Sequence, residues 1–350
     1  MRGNLRSLTM DYIDSVEDLE DRLAAPSVPD QEAIERLSGD IVILGAGGKM
    51  GLSLARRARR ASEAAGVKRR VIAVSRFSSP AIAGELERSG IETLRCDLLS
   101  HEEVAQLPAC ENVLFLSGRK FGSSDRPDLT WAMNTVVPAN VARHYRGCRI
   151  VAFSTGNVYA PVKTSTSGSV ERDAPGPVGE YAQSCLARER VFEYYSQQHH
   201  TCCVILRLNY AVDLRYGVPV DIARRVYTGE PVNLSVGWFN AIWQGDANSY
   251  ALRCLEFCTC PPRVLNVTGL EKISVREVAE FYGRVFGREP VFRGEESDRA
   301  LLSNASLCHA MLGRPEVSAE TLLGWVAHWV RSGGPTLDKP TKFEVTDGKF

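Results

Sequence analysis

No run of about 18 or more apolar residues occurs in this 350-residue chain, so the sequence offers no membrane-spanning helix. Charge of one sign is not in excess either: Lys+Arg and Asp+Glu each number 42. A nucleic-acid-binding surface usually shows as a basic surplus, so nucleic acid is not an expected partner. The opening stretch MRGNLRSLTMDYIDSVEDLEDRLAA lacks an apolar core segment and is rich in acids, unlike a signal or transit peptide. The expected compartment is therefore the cytoplasm, where cysteines are expected to be reduced thiols. The densest cysteine group, Cys254, Cys258 and Cys260, has no paired CxxC and no nearby histidine, and no metal site is expected. Cys202 and Cys203 sit in an apolar run and read as core. The cluster Arg56, Arg57, Arg59 and Arg60, with Lys68, Arg69 and Arg70 beyond it, reads as a solvated helix face and the turn that follows.

What is present is an ordinary globular balance, 44% hydrophobic and 24% charged. Residues 1–39 form a polar extension with one helical pattern, SVEDLEDRLA, capped by Ser15 and broken by Pro26 and Pro29. From residue 40 onward, apolar runs alternate with helical patterns. The runs are DIVILG, VIAVSRF at 71–77, IETLRCDLL from 91, NVLFLSG at 112–118, CRIVAFST at 148–155 and CCVILRLN from 202. A marked helical pattern covers 128–145. Continuous apolar strands separated by helices imply an α/β fold, a doubly wound parallel sheet covered on both faces. The alternation weakens after residue 209, although RVLNVTG at 263–269 reads as a later strand and SVREVAEFYGRVFG as a helix. The expected organisation is thus an extension at 1–39, a dinucleotide-binding domain at 40–208 that also claims the later strand, and a mainly substrate-binding region at 209–350.

The first strand runs into Gly45-Ala-Gly-Gly48-Lys-Met-Gly51 and then into a helix. A glycine turn in that position lets backbone approach a pyrophosphate at a helix N-terminus, so Gly45, Gly48, Lys49, Met50 and Gly51 are expected at a dinucleotide cofactor. The second strand ends in Ser75-Arg76, with no acid at 74–79. An acid there would accept bonds from ribose hydroxyls, as with NAD, whereas an arginine meets a 2'-phosphate. NADP is therefore the expected cofactor, with Lys49 adding charge and NAD as the alternative.

These motifs, in this order, resemble the extended short-chain dehydrogenase/reductases, in the branch called the NAD-dependent epimerase/dehydratase family, over residues 40–330. The resemblance implies a Rossmann-type sheet with a smaller C-terminal substrate domain. It places Asp97 and Leu98 beside adenine and Asn134 on the fourth helix. It matches STGNVYA, and hence Thr155, to the motif of the active-site hydroxyl, and Tyr181 to the active-site tyrosine 26 residues later. Ser117 and Gly118 fall in the loop after the fourth strand, on the cofactor side, and Glu189 stands where the family has a glutamate. A homodimer through the fourth and fifth helices is a further expectation drawn from relatives.

Three features depart from the pattern. Cys185 stands where the family's tyrosine is followed four places later by lysine. Gly156 and Asn157 follow Thr155 where dehydratases carry Asp-Glu, which argues against a 4,6-dehydratase. Gly245 precedes Asp246 where nucleotide-sugar members carry a diphosphate-binding arginine, so a free sugar, sugar acid or other polyol fits better by subtraction. A tyrosine of ordinary pKa about 10 is only ~0.1% phenolate near pH 7, and the missing lysine would normally favour the charged form. Lys120, in the loop at the carboxyl end of a central strand, is the candidate replacement. The catalytic candidates are thus Thr155, Tyr181 and Lys120, with Cys185 at the cofactor-facing vacancy. Two functions stay open on the sequence: hydride transfer at a hydroxyl of a sugar-like substrate, as oxidoreductase or epimerase, or a silent NAD(P)-binding sensor or scaffold.

Overall fold

A computed structural model describes residues 11–339, 341–345 and 347–348. Four apolar residues, Ile41–Leu44, form the buried strand β1. It pairs in parallel with β2 (Val71–Ser75) on one side and β4 (Asn112–Phe115) on the other. With β3 (Glu92–Arg95), β5 (Arg149–Thr155), β6 (Cys202–Leu208) and β7 (Arg263–Val267) they make one seven-stranded sheet, in the order β7-β6-β5-β4-β1-β2-β3. Every pairing in it is parallel. The order reverses between β1 and β4, and ligands of such sheets bind in the crevice outside the carboxyl ends at that reversal.

Successive strand residues face opposite ways, and the core divides accordingly. Ile41, Ile43, Val71, Ala73 and Leu114 pack with Leu54, Ala55 and Ala58 of α3 (Gly51–Ala64). Val42, Leu44, Ile72, Val74 and Phe115 pack on the other face with Val137 and Val141 of α7 (Val137–His144) and Phe192 of α8 (Gly179–His199). The helix expected at 128–145 is present but changes pitch. A first turn, α6 (Pro127–Trp131), passes through a π-helical segment, Ala132–Val136, into α7. Pro138 has no N–H to give the Asn134 carbonyl, which accounts for the widened turn there.

A third core unites the C-terminal helices α9 (Val218–Thr228), α11 (Val275–Phe286) and α13 (Ala319–Arg331). Ile13, Leu19 and Leu23 of the N-terminal extension belong to this core. Ser15 caps α1 (Val16–Ala24) by accepting from the Asp18 N–H, as expected. Pro29, expected to break the helical pattern, instead lies in the first turn of a second helix, α2 (Val28–Arg36), a position where its missing N–H costs nothing.

The arginine cluster on α3 corrects the expectation of a solvated face. Arg57 and Asp30 are both buried and meet at 2.6 Å. Asp21 pairs with Arg56 and Arg60. Arg69 is buried and donates to the carbonyls of Ile34 and Leu37 at 2.7 and 2.6 Å. The cluster is the dock for α1 and α2, and Arg59 alone among the four α3 arginines pairs within its own helix, with Glu63. Ser249, on α10 (Gln244–Arg253), donates to the second oxygen of Asp30 at 2.6 Å and joins the extension to the helix whose first turn holds Gly245 and Asp246.

Candidate functional site

The turn after β1 is tight because Gly45 holds φ +90, a left-handed conformation. A Cβ on it would lie 2.8 Å from the Ser117 nitrogen, so β1 and the loop after β4 close together only with glycine there. The resulting cleft is lined by Gly45, Gly48, Ser75, Arg76, Asp97, Leu98, Ser117 and Gly118, together with Gly47 and Met133. Eight of the cofactor positions expected from sequence thus meet in one place. Arg76 is exposed at the rim, and Phe77 beside it is buried. Asp97 is fixed by its own turn: its N–H donates to Glu103, and its carboxylate accepts from the Leu99 N–H at 3.1 Å. The cradle of backbone at a helix start, with an open arginine at the second strand, fits a dinucleotide.

Other expected contacts lie elsewhere. Lys49 turns away from the cleft: the residue is exposed overall, but Nζ lies 3.4 Å from the Ala211 carbonyl and 3.8 Å above the Tyr216 ring. Burial of the ammonium draws its pKa down to about 7. The expectation that Lys49 adds charge beside a 2'-phosphate is therefore corrected, since the tyrosine face and the carbonyl satisfy the cation on the far side of the turn. Met50 caps α3 and packs into the core beside it, and Gly51 is buried as the first residue of that helix. Asn134 and Cys185 are fully buried behind the cleft wall rather than on it.

Thr155 ends β5 and Tyr181 opens α8, so both stand at the carboxyl end of the sheet. Thr155 is close enough to Tyr181 to act on its ionisation. Thr155 Oγ1 also donates to Asn157 Oδ1 at 3.0 Å and accepts from the Asn157 N–H at 3.2 Å, which fixes its rotamer. Cys185 lies one helical turn on from the same tyrosine, fully buried, and occupies the family's lysine position. Burial pushes the Tyr181 phenol well above the usual tyrosine range, with the Cys185 sulfur adding to the rise and Arg188 and Thr155 opposing it. Burial likewise pushes the Cys185 thiol up. Lys120 comes to the same corner: its Nζ is 5.8 Å from the Tyr181 ring centroid and 3.4 Å from the Thr341 carbonyl. Burial lowers its pKa to about 8, against the pull of Cys185 and Asp221.

A second cavity opens next to this corner, lined by Asn157, Tyr159, Tyr210 and Arg299 and closed by Phe343, Val345 and Gly348. The closing segment is held by Thr341, which donates twice to Asp221 at 2.8 and 2.6 Å, by the Arg225–Glu344 ion pair, and by the buried Phe343. Sequence reasoning missed Tyr159, Arg299 and the closing segment, for which no periodicity or motif gives a signal. It also missed Arg188, whose spacing of seven from Tyr181 put it on the same helix face and was there to be read. Gly245 has no room for a side chain, which would run into the Trp243 indole. Among the described residues no group of three or more His, Cys, Asp or Glu is arranged to hold a metal ion, and no helix is long and apolar enough to cross a membrane.

A family model described as the NAD dependent epimerase/dehydratase family matches residues 41–217. No curated protein matches the chain. Among solved structures, UDP-glucose 4-epimerase from the hyperthermophilic eubacterium Thermotoga maritima, with UDP-glucose, is similar at a TM-score of 0.69 and 18% identity, over 84% of this chain and 99% of that one. The UDP-glucose 4-epimerase of Thermus thermophilus, in complex with NAD, gives 0.66 and 20% over 83% and 99%. UDP-glucuronic acid 4-epimerase from Bacillus cereus, in complex with UDP-glucuronic acid and NAD, gives 0.68 and 16% over 83% and 99%. At such identities the structural likeness establishes the fold, while the family match spans more than half of the chain. The chain therefore belongs to the NAD dependent epimerase/dehydratase family and is an enzyme of the extended short-chain dehydrogenase/reductase type that works with a nicotinamide dinucleotide.

Proposed function

We propose that the enzyme acts on a hydroxyl of a compact sugar-like or sugar-acid substrate, as an oxidoreductase or epimerase. Tyr181 serves as the base, Thr155 as its hydrogen-bonding partner and Lys120 as a flanking cation. The observation that carries this reading is the meeting of Thr155 and Tyr181 at the carboxyl edge of the sheet, beside the dinucleotide cleft. When bound, the nicotinamide supplies the hydride acceptor and donor. Tyr181 takes the hydroxyl proton as the carbonyl forms, and Thr155 donates to the same oxygen once its hydroxyl turns from Asn157 Oδ1. Lys120, charged near neutrality with its pKa near 8, favours the phenolate from the substrate side.

Two observations support a compact substrate. Relatives of this fold were solved with UDP-sugars. Here, Gly245 replaces the diphosphate-binding arginine with no space for a side chain, and Phe343, Val345 and Gly348 wall the substrate cavity. NADP is the proposed cofactor form, since Arg76 stands exposed at the cleft rim with no acid from 74 to 79. The relatives solved with NAD make NAD the form to test against it. The buried, proton-holding Cys185 thiol does not favour a sensor, because redox-reactive cysteines are accessible thiolates. The homodimer belongs to this reading as well, with exposed Trp131 and Val136 on the fourth helix available for it.

The test follows nicotinamide absorbance with free sugars, sugar acids and UDP-sugars in parallel. Turnover is expected with members of the first two classes. Turnover confined to UDP-sugars would overturn the substrate assignment. Tyr181→Phe should lower turnover by roughly 10²-fold or more, the scale of a lost general base, with cofactor affinity little changed. Undiminished turnover in that variant would remove Tyr181 from the mechanism.

A further inference from the structure

On α8, Tyr181, Cys185 and Arg188 fall at positions i, i+4 and i+7, one above another on a single face. Helical side chains lean toward the N-terminus, so Arg188 reaches back over the turn occupied by Cys185. Its guanidinium is buried, with only 6% of the residue exposed. Nη1 donates to the Phe153 carbonyl at 2.8 Å and Nη2 donates to Asn134 Oδ1. Asn134 in turn donates from Nδ2 to Ser184 Oγ at 2.8 Å and lies 4.0 Å from Cys185 Sγ. The backbone leaves room for this arrangement on the cleft side, because a Cβ on Gly118 would collide with Nη2.

The cation lies 5.8 Å over the Phe115 ring and has neutral acceptors, but no anionic partner among the described residues. Among the described residues no carboxylate lies within ion-pairing distance of Arg188, and its Nε has no hydrogen-bond partner. The neighbouring Glu189 is committed to Arg207 and Ser154. A buried charge without a counter-ion is costly, so such a residue favours any nearby group that can become an anion. The groups on its own face are the Cys185 thiol and the Tyr181 phenol, and Arg188 acts to lower the pKa of both.

We propose that Arg188 is the positioning cation that this chain uses in place of the lysine of the family pair. It favours the Tyr181 phenolate from within the helix face, while Lys120 does so from the substrate side. The proposal rests on the reading of Tyr181 as the base. It also explains Cys185: a lysine there would share a water-poor pocket with a fixed guanidinium, and two like charges so placed repel. A small neutral side chain at 185 is what a cation arriving from 188 requires. Lys120 loses its charge not far above neutrality, whereas a guanidinium keeps its charge throughout the working range, so Arg188 is the constant member of the two.

The test compares four full-length proteins: native, Arg188→Met, Cys185→Lys and the double variant. In urea melts, Cys185→Lys is expected to lose stability beside Arg188 and to recover most of it when Arg188 is methionine. Strictly additive effects would overturn the shared-pocket argument. In the oxidation direction, Arg188→Met should move the acidic limb of the pH–rate profile upward by about 1–3 pH units, the range for loss of an adjacent charge, and Cys185→Lys in that background should bring it back. An unmoved limb would overturn the role for Arg188. If Arg188→Met does not fold, Arg188→Lys keeps a cation on the same face. It should hold the native limb, and a displaced limb in that variant would sink the charge argument. The stability cycle between 185 and 188 needs no turnover and judges the charge pocket alone. A normal rate in Tyr181→Phe would instead defeat the base assignment.

Discussion

Glu189 and Arg207 form a buried ion pair in which Arg207 Nη2 lies 2.7 Å from Glu189 Oε2, with both side chains at least 95% out of solvent. The pair binds α8 to β6 directly behind Thr155. Ser154 donates to the other Glu189 oxygen at 2.5 Å, and Arg207 Nη1 donates to the Tyr159 hydroxyl at 2.7 Å. Tyr159 lines the second cavity, so the pair also sets one of its walls. Glu189→Gln leaves a buried guanidinium without its counter-charge. The expected loss is about 3–5 kcal/mol in urea denaturation, the scale for breaking one side of a buried pair. Replacing both partners, Glu189→Leu with Arg207→Met, should restore much of it. A single substitution as mild as an exposed pair, below about 1 kcal/mol, would show that the pair is not desolvated as the structure has it.

Arg76 is the next prediction, since it is exposed, at the cleft rim and next to Ser75. Arg76→Ala should weaken NADPH binding far more than NADH binding, because the guanidinium meets a 2'-phosphate that NADH lacks. Titration by intrinsic fluorescence reads both affinities. Equal losses for the two cofactors would mean that Arg76 packs against a part common to both.

The sheet was legible because buried parallel strands leave continuous apolar runs: IVIL, VIAVS and CCVILRL are strands at the places where they read as strands. The glycine turn was legible for a related reason, since local geometry dictates it, whereas Thr155 and Tyr181 were legible only through the resemblance of STGNVYA and of Tyr181 to the family's motifs. Direction of a long side chain is another matter. Lys49 is adjacent in sequence to the phosphate-facing turn, yet its four-carbon stem carries the charge to Ala211 and Tyr216 instead. Arg57 reads like any helix-surface arginine, and its burial depends on Asp30, which is 27 residues away and brought in by α2. The segment from 341 to 348 has no apolar period at all. The place of residues 341–345 at the second cavity comes from long-range contacts with Asp221 and Arg225.

Lys120 supplies a prediction about pH. Its ammonium, with a pKa lowered to about 8 by burial, is mostly charged at pH 7 and mostly neutral by pH 9. Its support for the Tyr181 phenolate is therefore greatest near neutrality and fades above pH 8. Lys120→Met keeps much of the stem and removes the charge. Activity near neutrality should fall and the optimum for oxidation should move upward, whereas rates well above pH 8 should approach native ones. A parallel loss at every pH would assign Lys120 to holding the Thr341 carbonyl rather than to assisting Tyr181.

Asp246 yields the last prediction, and here two effects compete. It sits in the first turn of α10, where the helix dipole favours a carboxylate, and it accepts from the Val317 N–H at 3.1 Å. Burial opposes both and prevails, raising its pKa from 3.8 to about 6. The folded state therefore holds a proton through a window, about pH 4 to 6, in which the unfolded chain has already released it. Stability that is fully present below pH 4 is lost as pH rises through 6, and stays lost above it. The two pKa values differ by about two, which at 1.36 kcal/mol for each sets the loss at roughly 3 kcal/mol. Asp246→Asn keeps an oxygen for the Val317 N–H and has no charge to desolvate. Its stability should be flatter than the native protein's between pH 4 and 6 and should exceed it at pH 7. Urea midpoints measured at pH 4, 5, 6 and 7 decide the matter: parallel curves for the two proteins would mean that Asp246 stays ionised in the fold, with the helix dipole and the Val317 N–H outweighing burial.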